Sequence, residues 1–154
     1  MTCLNSLLEV AQGVLMNQSA ATLIDVFFYG LFMDEALLRE KGLNPINRGL
    51  ALVENVALVI TQRATLVPSA GNLVHGVVFS LTHDEVDLLY RDPSVSMYRP
   101  EAVLARLADG NKVPCLCFNL PAVQANEERN LAYATKLRSL AKQLNLPESY
   151  VQTI

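Results

Sequence analysis

The chain has 154 residues, enough for one domain that needs no disulfide framework or structural metal. Hydrophobic residues make up 51% and charged residues 18%, which excludes a disordered chain. The net charge of −3 leaves no basic surplus for nucleic-acid phosphates, and no run approaches the roughly 20 apolar residues of a membrane span.

Leu4, Leu7, Leu8, Ala11, Val14 and Leu15 recur at helical spacing, so residues 1–22 read as a helical extension ahead of a domain over 23–154. That helix either covers a core edge or meets a second copy in a homodimer. No Lys or Arg precedes Arg39, which argues against a secretory or Arg-rich transit segment and for a soluble cytoplasmic protein. Cys3, Cys115 and Cys117 are too few for a disulfide scaffold, have no zinc-ligand spacing and read as reduced thiols, the last two sharing one strand face.

The β-branched and aromatic run over 24–29 predicts a strand ended by Gly30. A short helix follows from Met33 to Lys41, with Asp34 and Glu35 in its first turn and Gly42 past its end. Residues 50–60 are apolar on both faces, as in a strand wrapped into a barrel. Two further strands are expected over 64–67 and 73–81, separated by Pro68 and the Ser69-Ala70-Gly71-Asn72 turn. Thr82 and Glu85 have capping-box spacing for a helix over 83–91, which Asp92-Pro93 breaks. Strands over 97–107 and 113–120 pair across Asp109-Gly110, a long helix runs from Asn126 to Asn145, and Pro147 opens a last short one. The element order is not a βαβα alternation, so the fold class is α+β around a mixed sheet or small barrel.

There is no phosphate-binding glycine loop, no GxSxG elbow and no metal-ligand cluster. His75 reads as a satisfied core or barrel histidine and His83 as solvated. Three places stand out. The strand-to-helix turn Tyr29-Gly30-Leu31-Phe32 has consecutive amides able to hold a carboxylate. Asp92 lies on an irregular segment leading to Tyr98, and Tyr133 heads the apolar stripe of the long helix.

Taken in order, these segments resemble the γ-glutamylcyclotransferase family. The resemblance is carried by Tyr29-Gly30, Arg63-Ala64-Thr65-Leu66-Val67-Pro68, Val74-His75-Gly76-Val77-Val78-Phe79 and Leu89-Tyr90. It continues through Tyr98-Arg99-Pro100-Glu101-Ala102-Val103, Asn130-Leu131-Ala132-Tyr133 and Leu146-Pro147-Glu148-Ser149-Tyr150-Val151. The resemblance implies a small mixed β-barrel flanked by helices, with a substrate cavity at one mouth. It implies release of 5-oxoproline from a γ-glutamyl amine or peptide, the substrate's α-amine attacking its own γ-carbonyl, with no metal or organic cofactor. A carboxylate would take the amine's proton and return it to the leaving amine. The resemblance places that base at Asp92, the carboxylate site at the Gly30, Leu31 and Phe32 amides, and pocket tyrosines at Tyr29, Tyr98 and Tyr133. Two departures matter: Leu31 and Phe32 stand where the family has small polar residues, and Asp92 is one methylene shorter than the family's glutamate, with Glu101 as its alternative. The competing expectation is a catalytically impaired member that binds a small carboxylate or a partner protein.

Overall fold

The structure, a computed structural model, describes residues 23–121 and 128–154. Five strands close into a barrel in the order β1-β3-β2-β4-β5: β1 (Leu23–Phe28), β2 (Ile46–Ile60), β3 (Ala64–Thr82), β4 (Arg99–Leu107) and β5 (Lys112–Asn119). Among the described residues four α-helices accompany them: α1 (Glu35–Glu40), α2 (His83–Tyr90), α3 (Leu131–Gln143) and α4 (Glu148–Val151). The barrel closes where β1 meets β5 in parallel, at Val26 opposite Leu116; the other pairings are antiparallel. The expected α+β barrel is therefore present. The helix expected over 4–16 lies outside the described residues.

The local signals explain most boundaries. Thr82 and Glu85 form the reciprocal capping box at the start of α2. Gly42 has φ 90° just past α1, as a glycine ending a helix should. Asp34 is the cap of α1, not part of its first turn, and accepts the Ala36 amide; a single 3-10 turn, Leu31–Met33, precedes it. The long C-terminal helix starts at Leu131, later than expected, because Asn130 caps it by accepting the Tyr133 amide.

The two strands expected over 64–67 and 73–81 are one 19-residue strand, β3. Pro68 does not break it because β1 pairs only with residues 77–82, so at Pro68 (opposite Val56) β1 needs no amide. The expected turn is a bulge instead: residues 69–72 stand opposite the single residue Asn55, which has φ 63° and accepts the Gly71 amide.

The core is continuous from the barrel to the C-terminal helices and includes Phe27, Phe79, Leu81, Leu137 and Val151, all essentially inaccessible. Cys115 and Cys117 are buried, and burial raises their thiols to about 11 and about 12, so both stay protonated and unreactive. His75 is half-buried with its ring 5.0 Å from that of Tyr150, and desolvation lowers its pKa. Among the described residues no helix is long and apolar enough to cross a membrane.

Candidate functional site

The end of β1 and the turn after it open into a cavity of about 380 Å³ at one mouth of the barrel. Phe27 and Phe28 reach it from β1, Tyr29 from the residue just after it, Leu31 and Phe32 from the 3-10 turn, Tyr90 from the end of α2, and Phe118 from β5. Arg63 comes from the β2–β3 hairpin tip, Tyr98 from the segment before β4, and Tyr133 from the first turn of α3. The lining is mostly aromatic. Phe28 meets Phe32 edge-on at 6.1 Å, Phe32 meets Tyr90 edge-on at 6.1 Å, and Tyr90 stacks on Phe118 at 3.9 Å.

Three of the four tyrosine hydroxyls are engaged by the protein. Tyr29 donates to the Phe118 carbonyl (2.7 Å), with Asn119 Oδ1 at 3.0 Å. Asn119 also accepts the Leu66 amide and donates to Glu101, so Tyr29 belongs to a knot that ties β1, β3, β4 and β5 together. Tyr98 donates to the Ala64 carbonyl. The Tyr133 hydroxyl sits over the Gly30 turn, against the Leu31 amide, which opposes the upward shift that burial gives its pKa. Burial is also the main cause of the raised pKa of Tyr29, Tyr90 and Tyr98, so all four phenols stay protonated and cannot serve as bases near neutrality.

The charged groups on the lining are both cations, Lys41 and Arg63. Lys41 Nζ lies 5.9 Å from the centroid of the Phe32 ring. The Arg63 Nε donates to the Ser94 carbonyl (2.8 Å), which holds the guanidinium at the rim, where its charge lowers the Tyr98 pKa against burial. Neither cation forms a salt bridge with a described carboxylate, although the Lys41 charge reaches the exposed Asp92 and adds to the lowering of its pKa.

The structure thus gathers Tyr29, Gly30, Leu31, Phe32, Tyr98 and Tyr133 around one cavity and leaves Asp92 out. Asp92 is fully exposed, and its Oδ1 accepts both the amide (2.9 Å) and the hydroxyl (2.8 Å) of Ser94. Those two bonds hold its pKa below the ordinary carboxylate value. The expectation that Asp92 faces the cavity is corrected: it caps its own turn, whose next residues, Ser94 and Val95, line the cavity in its place. Glu101 is no substitute in position, since it is exposed and bonded to Asn119. Among the described residues no Asp or Glu lines the cavity, and no cluster of three or more His, Cys, Asp or Glu could hold a metal.

The turn amides present a mixed picture. The turn's backbone bonds run from the Met33 and Asp34 amides to the Gly30 and Leu31 carbonyls, so they do not use the Gly30, Leu31 or Phe32 amides. The Leu31 amide, however, already faces the Tyr133 hydroxyl.

Sequence reasoning missed Lys41 and Arg63 as site residues, and with them Tyr90 and Phe118. Arg63 stands at the β2–β3 hairpin tip, from which its side chain reaches the cavity. Lys41 follows α1 immediately and had no pattern to mark it.

A sequence model of the family described as "Gamma-glutamyl cyclotransferase, AIG2-like" matches residues 26–136. Among solved structures, one described as "Gamma-glutamyl cyclotransferase" superposes with a TM-score of 0.71 at 19% identity, over 85% of each chain. An uncharacterised protein from Homo sapiens gives 0.69 at 20% identity, over 86% of each chain. YkqA from Bacillus subtilis gives 0.68 at 23% identity, over 90% of this chain and 55% of its own. These likenesses establish a shared fold. Comparison with curated proteins gives no match.

Proposed function

The chain belongs to the gamma-glutamyl cyclotransferase, AIG2-like family, and from that premise we propose that its barrel-mouth cavity binds a small carboxylate-bearing molecule without Asp92 acting as a base. One observation carries this reading: the cavity's charges are Lys41 and Arg63, no described carboxylate lines it, and Asp92 is turned to solvent. Intramolecular aminolysis requires a neutral α-amine and a group within hydrogen-bond reach to move its proton. Phenols raised by burial do not serve as that group, and no described carboxylate lines the cavity to do so. Binding needs less: a cationic rim, an apolar interior that excludes water, and a shape that holds one pose.

The second reading, release of 5-oxoproline from a γ-glutamyl amine, is supported by the family match. A cavity that folds a γ-glutamyl chain into a near-attack pose accelerates ring closure by orientation alone. The two readings separate in one experiment. The full chain is incubated with glutathione and a panel of γ-glutamyl dipeptides; calorimetry reads binding and chromatography reads 5-oxoproline. Butyrate, a carboxylate without an amine, is measured beside them; its binding, with no product from the γ-glutamyl compounds, is the expected result. Catalytic turnover to 5-oxoproline would establish the second reading, and an absence of both would reject each.

A further inference from the structure

We propose that the cavity selects an amphipathic monocarboxylate: its carboxylate lies at Arg63 and Lys41, and an apolar body, aromatic by preference, lies against Phe32, Tyr90 and Phe118. This rests on the binding reading above and goes further by naming the ligand's class.

The rim supplies the carboxylate's partners. The Arg63 Nε is held by the Ser94 carbonyl, and no other bond of its side chain to a described residue competes for the fork of terminal N–H groups, which matches a carboxylate. Lys41 brings a second positive charge over the Phe32 ring. Neither cation is in a salt bridge with a described carboxylate, and Asp92, which the Lys41 charge reaches, is exposed to solvent, so the rim is net positive toward the cavity and favours an anion there.

The interior argues for an apolar body. Polar ligand groups beyond the rim would find few partners, because the Tyr29 and Tyr98 hydroxyls donate to backbone carbonyls and the Tyr133 hydroxyl lies against the Leu31 amide. What is left is a set of ring faces and edges: Phe32 against Tyr90, and Tyr90 stacked on Phe118. A buried aromatic ring gains area burial and edge or stacking contacts there.

The same inventory argues against an ammonium group on the ligand. No described carboxylate faces the cavity, and Lys41 and Arg63 oppose any further positive charge. Burying an unpaired ammonium is costly. A zwitterionic amino acid is therefore a poorer fit than the corresponding acid without its amine.

The test uses the full chain and three probes of matched chemistry, followed by chemical-shift titration: 3-phenylpropionate, propionate and 3-phenylpropylamine. The phenyl acid is expected to bind at least about tenfold more tightly than propionate, the difference an aromatic body makes on burial, and the amine is expected not to bind. Arg63→Gln and Lys41→Gln are each expected to weaken 3-phenylpropionate by about tenfold while leaving the melting temperature unchanged. Equal binding of the two acids overturns the apolar-body assignment while the carboxylate-binding reading stands. Binding of the amine as tightly as the acid, or an unchanged affinity in both charge variants, overturns the assignment of Arg63 and Lys41. If no acid binds, in this set or in the γ-glutamyl panel, the binding reading itself falls.

Discussion

The hydroxyl of Tyr133 occupies the space in which a side chain at residue 30 would begin: an ideal Cβ on Gly30 lies 2.6 Å from that oxygen. Gly30 has extended backbone angles, φ −111° and ψ −152°, so its need for glycine comes from this neighbour and not from backbone strain. Gly30→Ala is expected to push the Tyr133 ring aside and cost on the order of 1–3 kcal/mol. Tyr133→Phe removes the clashing atom, so the double variant should recover much of that loss. A double-mutant cycle in urea measures the coupling, and additive effects would show that the two residues do not share the space.

Gly76 is under a harder constraint. A Cβ there would lie 2.8 Å from the Phe27 ring and against the carbonyl oxygen of Phe28, a backbone atom that cannot rotate away. Gly76→Ala is expected to destabilise the barrel by about 3 kcal/mol or more, or to prevent folding. Urea denaturation checks this, with Gly71→Ala as the comparison: Gly71 has open space around it and should pay only for its φ of 82°, about 1 kcal/mol.

Tyr29 lines the cavity, but its hydroxyl works for the barrel. Tyr29→Phe removes a donor from the buried Phe118 carbonyl and is expected to cost about 1–3 kcal/mol in chemical denaturation. Ligand affinity should change little, because the hydroxyl points its proton at β5 and not into the cavity.

Asp92 should reveal itself through acid stability. Its folded pKa lies below the ordinary 3.8 because Ser94 donates two hydrogen bonds to the carboxylate. A carboxyl depressed by folding contributes stability above its unfolded pKa and loses it as pH falls through the folded one. Asp92→Asn should therefore trail the wild type by a constant margin at neutral pH, and the margin should shrink below about pH 4. Thermal melts across pH 2–7 read this directly. The same variant should bind cavity ligands as the wild type does at pH 7, and any 5-oxoproline release should persist in it. A loss of either would return Asp92 to the site.

What could be read from the sequence was what is local. Thr82 and Glu85 are three residues apart and cap α2 by themselves, and Gly42 marks the end of α1 through its own backbone. What could not be read depends on a distant partner. Pro68 looks like a strand breaker until one knows that β1 stops pairing at Val77. That the Tyr29 hydroxyl donates to Phe118, 89 residues away, is marked by no local pattern. The family resemblance aligned Asp92 with a base by order along the chain, but order does not determine which way a turn residue faces. Ser94, two residues later, decided that.

The bulge at Asn55 divides the β2–β3 hairpin into a stem built into the barrel and an arm, residues 56–68, whose tip overhangs the cavity with Arg63. Asn130 fastens that tip: its amide donates to the Thr61 carbonyl (2.8 Å), its Nδ2 to the Gln62 carbonyl (3.2 Å), and its Oδ1 caps the helix that carries Tyr133. One asparagine thus acts as a clasp between two walls of the opening. Its deamidation would replace the Nδ2 donor with a carboxylate oxygen facing the Gln62 carbonyl, while the backbone bond to Thr61 and the helix cap remain. Chemical ageing of a single side chain outside the cavity lining would then loosen the clasp by one of its three bonds.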